Sequence, residues 1–398
     1  MVENTVEVRL TSADSQPQRA DVVILGGGAI GVSIAWSLAS KGVKNIVVIE
    51  RGEFGSGSSA KPLGGVRANF SDPANIMLGK RSLETFRNFK HQFGIDIGLR
   101  SVGYLFLART EEEAVGLSSA TEIQNGMGIA SRDISPAQCA QLNPYLDASA
   151  LVSGAFSPED GYARPARVVE GFIKAAQQLG VTFLNNTEAL NAEVGPDGVE
   201  AIETNRGTIR TQAAICATGA WSKRVGQIFG VDLPVEPVRR LVGFTPQRAK
   251  PHPTVPFTLD LGTTFYFHNS ANGLLLGISH DQEPGFCREF SYDWTNELNA
   301  AAGMVAPELQ HQDIVSGWAG LYENTPDHNA IIGRSDEIAN LFYATGFSGH
   351  GFLQSPAVGE LVADMYLGHE SFMDPTPFCA SRFSSTANAS AAKELHII

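Results

Sequence analysis

The sequence predicts an α/β (α+β) chain in two parts, one built on parallel strands and helices and the other on a large antiparallel sheet. Three observations carry this reading. Residues Asp21 to Glu50, DVVILGGGAIGVSIAWSLASKGVKNIVVIE, join an apolar strand, a glycine turn, a helix and a second strand that ends in an acid, which is the pattern of a βαβ unit on a parallel sheet. Aromatic and β-branched runs recur at VGYLFLA, LVGFTP and TTFYFH, and they read as a separate antiparallel sheet over Gly103 to Ala108 and Pro237 to Ile278. At 398 residues the chain exceeds one small core and suits two domains or one elaborated α/β domain.

The first unit is the most informative. Val22 to Leu25 form its buried strand, and Gly26, Gly28 and Gly31 fill the fixed positions of G-x-G-x-x-G. The first glycine permits the tight turn, the second lets backbone approach a pyrophosphate, and the third lets the helix sit close on the sheet. The helix from about Ala29 to Lys41 points its free N–H groups and positive dipole end at the phosphates. Glu50, 24 positions beyond Gly26, stands where a carboxylate accepts hydrogen bonds from a ribose. Strand, turn, helix, strand and acid together define a Rossmann-like dinucleotide-binding unit.

A glycine-serine run from Gly55 to Gly65 follows, where small residues let backbone pass close to a flat ring system. Apolar residues at Ile76, Leu78, Leu83, Phe86 and Phe89 then predict a helix from Pro73 to Gln92. A second helix, about Pro165 to Leu179, leads through Gly180 into a strand at Val181 to Leu184. Two short strand-like pieces follow, GVEAIETN and GTIRTQAAICATGAW, the latter returning a glycine turn at Thr218, Gly219 and Ala220 to the nucleotide. Near the end, AIIG and Leu341 to Ala344 read as strands. The Gly346 to Gly351 loop then enters a helix expected to start near Ser355, with Pro356 in its first turn, so that a second helix N-terminus faces the cofactor cleft.

Composition narrows the class further. Twenty-nine basic against 42 acidic residues leave a charge of −13, which argues against a nucleic-acid partner and requires local arginines for any anionic substrate. The four cysteines, Cys139, Cys216, Cys287 and Cys379, lack metal-ligand or disulfide spacing, so no metal site is expected. Residues 1–20 read as a disordered leader without a signal peptide and 379–398 as a Ser/Ala-rich tail. No run is long enough to span a membrane, and the expected location is the cytoplasm.

Taken jointly, GGGAIG, VIERG, GSGSS, VRANF, ICATGAW, PVRRLVGF, LYENTPD and GFSGHGF resemble the FAD-dependent amine oxidoreductases of the D-amino acid oxidase superfamily. The similarity is strongest to the sarcosine oxidase, dimethylglycine dehydrogenase and proline dehydrogenase β-subunit branch, and it runs from Asp21 to about Gly368. It implies FAD held by a discontinuous domain over 21–100, 160–230 and 328–376, with a substrate domain over 101–159 and 231–327. It also implies hydride transfer from the substrate's α C–H to flavin N5, followed by hydrolysis of the imine. Cofactor contacts then fall on Gly26, Gly28, Ala29, Ile30 and Gly31, on Glu50 and Arg51, and on Gly57, Ser58, Ser59, Lys61, Leu63, Gly64 and Gly65. Others fall on Ala189, Ala217, Thr218, Gly219, Trp221 and Gly320, and on Gly346, Ser348, Gly349, His350, Gly351 and Phe352.

The same resemblance assigns catalytic candidates. Arg67 in VRANF stands where the branch pairs an arginine with the substrate carboxylate, and a planar guanidinium makes two parallel charge-assisted bonds there. Tyr266 and Tyr322 match tyrosines of the substrate cavity, and His350 matches a flavin contact. Arg240, beside Arg239, is a second candidate cation; for a substrate with two carboxylates, Arg240 or His280 would serve the second.

Departures from the branch sharpen the expectation. Gly320 replaces a cysteine that tethers FAD in the monomeric oxidases, and Lys61 replaces a tethering histidine, so FAD should be non-covalent. Pro165 replaces the histidine that attaches FMN in the heterotetrameric enzymes. Leu275 replaces the lysine that promotes reaction with oxygen, and Leu353 replaces the lysine that helps hold the substrate carboxylate. The expected activity is oxidation of the C–N bond of a small secondary or N-alkylated amino acid, such as sarcosine, another N-methyl amino acid, iminodiacetate or proline. The resemblance leaves open a primary amino acid oxidase or dehydrogenase, a FAD-carrying subunit of a larger dehydrogenase, the acceptor (O2 or an electron carrier) and the oligomeric state.

Overall fold

The computed structural model describes residues 16–61, 63–279 and 282–383. The chain opens with β1 (Arg19–Leu25), α1 (Ala29–Ser40), β2 (Ile46–Ile49), β3 (Gly65–Val66), α2 (Pro73–Phe93), β4 (Tyr104–Ala108) and α3 (Glu111–Gly126). It continues through β5 (Arg132–Ile134), α4 (Pro136–Leu142), β6 (Ser153–Ser157), β7 (Gly161–Tyr162), α5 (Pro165–Gln178), β8 (Thr182–Leu184), β9 (Ala189–Gly195), β10 (Gly198–Thr204) and β11 (Gly207–Cys216). Then come α6 (Ser222–Ile228), β12 (Glu236–Phe244), β13 (Phe257–Asp260), β14 (Tyr266–Ser270), β15 (Gly273–Ile278) and α7 (Thr295–Val305). The last elements are β16 (Ser316–Asn324), β17 (Ile331–Arg334), β18 (Leu341–Thr345) and α8 (Gly351–Leu367).

One sheet runs in the order β17-β18-β11-β1-β2-β8, with β10 and β9 extending from β11. Its middle is parallel: β1 pairs with β2 and β11, and β11 with β18. The apolar run Val22 to Leu25 is fully buried because helices cover this sheet. α1 lies against α5 and α8, and the approach is close. A Cβ on Gly359 would stand 2.1 Å from Ser33 Oγ, which donates to the Ser355 carbonyl at 2.6 Å.

The second sheet has the order β16-β12-β15-β14-β13-β4-β6-β5. It is antiparallel as expected except for one parallel pair, β4 with β13. The exception follows from connectivity, since the chain leaves β4 and reaches β13 only after a long excursion through the first sheet, and a parallel neighbour requires such a crossover. A two-stranded ribbon, β3 with β7, lies apart from both sheets.

Three boundaries differ from the sequence reading. β1 begins at Arg19, inside the expected leader, and pairs with β11 there; residues 1–15 lie outside the described residues. At the other end, Arg382 of the expected tail binds Asp327 through two nitrogens, at 2.8 and 3.1 Å, while 384–398 lie outside the described residues. α8 starts at Gly351, which leaves Pro356 inside the helix. Pro356 has no N–H to offer the Phe352 carbonyl, and Ser355 Oγ donates to that carbonyl instead, at 2.8 Å. Among the described residues, no helix is long and apolar enough to cross a membrane.

Candidate active site

The two sheets enclose one extended cavity of about 490 Å³. At one end its wall is mostly backbone. Gly26, Gly28, Ala29 and Ile30 line it, with Glu50 and Arg51 beyond the next strand. Gly26 adopts φ +106°, and a Cβ there would sit 2.3 Å from the Ala217 carbonyl, so the β1 and β11 turns touch. Gly31 does not line the cavity: it stands behind the wall, where a Cβ would fall 1.9 Å from the Gly26 carbonyl. Its contribution is helix packing.

The N-terminus of α1 has no capping side chain at Gly28 and no acid in its first turn. Ser59 Oγ accepts the Ala29 N–H at 2.9 Å, and the helix end otherwise faces the cavity. Bare N–H groups and a positive dipole end suit a diphosphate. A Cβ on Gly28 would meet only Ser59 Oγ, at 3.1 Å, and one on Gly57 only Trp221, at 3.9 Å, so ligand can approach the backbone at both places. Glu50 bridges the Gly27 and Gly52 N–H groups, each at 2.9 Å, which fixes its carboxylate at the cavity edge. Arg51 stacks on Trp221 at 3.9 Å. Ala189, Ala217, Thr218 and Gly219 complete this end.

The middle is walled by Gly57, Ser58, Ser59, Lys61, Leu63, Gly64 and Gly65, with Gly320 of β16 beside them. Ser58 Oγ donates to the Leu321 carbonyl at 2.7 Å, and Trp318 Nε1 donates to the Lys61 carbonyl at 2.8 Å. A Cβ on Gly320 would lie 3.0 Å from Lys61 Cβ. Burial first, and then Arg288, lower the Lys61 pKa. Ser348, Gly349, His350, Gly351 and Phe352 bring the N-terminus of α8 to the same cavity. Gly346 does not reach it; its N–H donates to Glu323 Oε2 at 3.0 Å.

The far end is made of side chains. Arg67, Arg240, Tyr266, Tyr322 and His350 all line it, converging from the segment after β3, from β12, β14 and β16, and from the start of α8. Arg67, 5% exposed, donates through Nη1 to Asn69 O at 3.1 Å and Asn69 Oδ1 at 3.3 Å. Its guanidinium lies 4.0 Å from the Phe70 ring centre and 5.7 Å from that of Tyr104. Arg240 lies 5.2 Å from the Tyr322 ring. Each tyrosine ring sits against a glycine: a Cβ on Gly277 or Gly349 would come within 2.2 or 2.3 Å of Tyr266 or Tyr322.

Burial sets the protonation states. It is the first cause raising the phenol pKa values of Tyr104, Tyr266 and Tyr322, so all three remain hydroxyl donors. It also holds His350 well below the ordinary histidine value, with Arg67 and His328 adding to the effect and a hydrogen bond to the Ser348 backbone opposing it. Glu323, half-buried in the wall, is pushed up to about 7 by burial. The far end therefore offers two guanidinium groups, neutral hydroxyl donors and aromatic faces, which suit a carboxylate attached to a neutral amine.

Several wall residues were not foreseen. Tyr104 and Phe257 stack at 4.3 Å, while Glu323, Arg224 and Arg288 also line the cavity. His280 lies outside the described residues.

Comparison with known proteins agrees with this geometry. The family model described as FAD dependent oxidoreductase (DAO) matches residues 21–365. Glycine oxidase of Geobacillus kaustophilus (strain HTA426) is 31% identical over 92% of this chain and 97% of its own length. Mitochondrial dimethylglycine dehydrogenase of Rattus norvegicus is 27% identical over 89% of this chain, which spans 44% of that longer protein. The structure of L-proline dehydrogenase from P. horikoshii superposes with a TM-score of 0.88 at 30% identity, covering 93% of this chain and 99% of that one. The chain belongs to the FAD-dependent oxidoreductase (DAO) family. It is an enzyme, a FAD-dependent amino acid or amine oxidoreductase.

Proposed function

We propose that this enzyme oxidises the C–N bond of a small secondary or N-alkylated amino acid of the sarcosine, N-methyl amino acid, iminodiacetate or proline type. The observation that carries the reading is Arg67, a buried guanidinium facing the cavity among phenols and a neutral histidine. There it would grip a carboxylate in two parallel bonds and leave the amine in an apolar, aromatic enclosure that favours its neutral form. Tyr266 and Tyr322 would bound the N-substituent, and His350 would meet the cofactor as a neutral ring. Arg240 is the second cation at this end.

FAD fits the rest of the cavity, with its diphosphate on the α1 N-terminus, a ribose at Glu50, and its ring along the Gly57–Gly65 loop, Gly320 and the start of α8. When bound, FAD supplies the acceptor for the hydride equivalent from the substrate's α C–H. Gly320 and Lys61 occupy the positions at which the resembled branch attaches its flavin and meet on one wall, which supports non-covalent binding. Denaturation should release the flavin quantitatively into the supernatant.

The similarity to glycine oxidase favours a second reading, a primary amino acid substrate. Anaerobic bleaching of the flavin by a panel of sarcosine, N-ethylglycine, iminodiacetate, proline, glycine and D-alanine separates the two. Preference for the N-substituted members supports the proposal, and preference for glycine or D-alanine selects the alternative. Readmission of air then distinguishes O2 from an electron carrier as the acceptor.

A further inference from the structure

We infer that Asp160 is a positioning residue for Arg67, holding the backbone on which that guanidinium rests through a two-step hydrogen-bond relay. The inference rests on the reading of Arg67 as the carboxylate-binding group. Asp160 is 1% exposed and immediately precedes β7. Its Oδ1 accepts the Ala68 N–H at 3.1 Å, and the Asn69 N–H is a second backbone donor to its carboxylate. Asn69 in turn accepts Arg67 Nη1 through its carbonyl and its side-chain oxygen. The path therefore runs from Asp160 to the Ala68–Asn69 backbone and from there to the guanidinium.

The local architecture explains why a side-chain acceptor stands at this position, and it is Asp160 Oδ1 that accepts, while Oδ2 is buried without a hydrogen-bond partner among the described residues. β3 pairs with β7 only over Gly65↔Tyr162 and Val66↔Gly161, and this short ladder stops one residue before Arg67. Beyond it, the Ala68 and Asn69 N–H groups are in the interior, where an unmet donor is costly. A carboxylate one residue before β7 continues the ladder by accepting both, which a carbonyl of regular strand geometry would not do. Asp160 is itself fixed from two sides. Its carbonyl accepts the Gly103 N–H at 2.9 Å, and Gly161 lies so close to Arg100 that a Cβ would fall 1.9 Å from the Arg100 carbonyl.

The opposite face of the loop is closed by α2. A Cβ on Gly79 would stand 2.8 Å from the Arg67 carbonyl and 2.9 Å from Ala68 Cα. The loop thus lies between a helix that presses on it and a carboxylate that holds it. Burial raises the Asp160 carboxyl pKa, and the Ala68 N–H and the positive charges of Arg67 and, to a smaller extent, Arg87 oppose that rise. A buried acid with this setting is a support for the guanidinium and does not reach the cavity, whose wall includes Arg67 but not Asp160.

The test uses the FAD-loaded full chain as wild type, Asp160→Asn, Asp160→Ala and Arg67→Ala. Readouts are flavin content, KM and kcat for sarcosine, and the Kd of acetate from its perturbation of the flavin spectrum. The expected order for both KM and acetate Kd is wild type, then Asp160→Asn at about threefold, then Asp160→Ala at about tenfold or more, with kcat within about twofold and flavin content unchanged. Asn is the milder change because it keeps Oδ1 as the acceptor and alters only the charge and the unpartnered Oδ2. Asp160→Asn or Asp160→Ala at or below the wild-type KM and Kd, while Arg67→Ala raises both, would overturn the inference and leave the carboxylate reading intact. No effect of Arg67→Ala on acetate would instead remove the carboxylate reading itself. Where Asp160→Ala does not load flavin, Asp160→Asn decides alone by the same criterion.

Discussion

The two ends of the cavity are built from different material. At the dinucleotide end the wall is backbone: a glycine turn, an uncapped helix N-terminus and a serine hydroxyl spent on Ala29. At the substrate end it is side chain: Arg67, Arg240, three tyrosines and His350, brought from six separate parts of the chain. A backbone site binds a constant ligand and depends on conformation, so it is broken by adding atoms. A side-chain site sets charge and shape for a variable ligand, so it is broken by removing them.

The comparison is broken most sharply at Arg67. Removing one partner of a buried hydrogen-bonded charge pair costs about 2–5 kcal/mol, so Arg67→Ala should lower kcat/KM for a carboxylate substrate by a factor of roughly 30 to several thousand. Flavin content should be unaffected; equal loss of flavin and activity would make Arg67 a structural residue of the FAD site. The reciprocal change is Gly31→Ala, whose methyl would fall 1.9 Å from the Gly26 carbonyl. Overpacking of this kind costs about 1–3 kcal/mol, and it should appear as a lowered melting temperature and weaker FAD retention, with KM for substrate unchanged in the molecules that keep FAD. A selective change in KM would contradict the division of labour.

Glu323 lies where the two ends meet, and its effect is read in pH. Its carboxyl is raised from 4.5 to about 7, first by burial, so the folded chain binds this proton more tightly than the unfolded one. The stabilisation is complete below pH 4.5 and is lost as pH rises through about 7. Glu323→Gln, neutral throughout, should therefore flatten the dependence of melting temperature on pH and gain relative to wild type at about pH 8 compared with about pH 5.5. Parallel curves for the two proteins would show that Glu323 titrates normally. The smallest effect is expected from Tyr322→Phe, which keeps the ring against Gly349 and removes only the hydroxyl. A neutral hydrogen bond is worth about 0.5–1.5 kcal/mol, so KM should rise by roughly 2- to 12-fold, without change in flavin content. No change at all would place the phenol outside the substrate's reach.

The same contrast explains what the sequence disclosed. The dinucleotide end is local, since Gly26 to Gly31 and Glu50 lie within one βαβ unit and their spacing alone carries the geometry. The substrate end is assembled by tertiary contact. β4 is buried at all five positions, so alternation in VGYLFLA does not say which residue faces the cavity, and Tyr104 was passed over. Glu323 lies in a stretch that reads as polar loop but forms the end of β16. Its environment comes from Thr345 and Gly346, which are distant in sequence and donate to its carboxylate. Some missed elements did carry a signal. α3 and α4 each open with a complete capping box, Thr110 with Glu113 and Ser135 with Gln138, a pattern visible from composition and spacing. The start of α8 was misplaced because Pro356 suits a first turn, whereas here a serine hydroxyl takes over the hydrogen bond that proline cannot make.

The measurement that tests the account most directly is anaerobic flavin bleaching by sarcosine, proline and glycine, with wild type and Arg67→Ala compared across substrate concentration. Sarcosine or proline should reduce the wild-type flavin at lower concentration than glycine does, and Arg67→Ala should shift the required concentration upward by about 30-fold or more while keeping its flavin. Bleaching by glycine ahead of every N-substituted substrate, or an Arg67→Ala curve that overlays the wild type, would contradict this expectation.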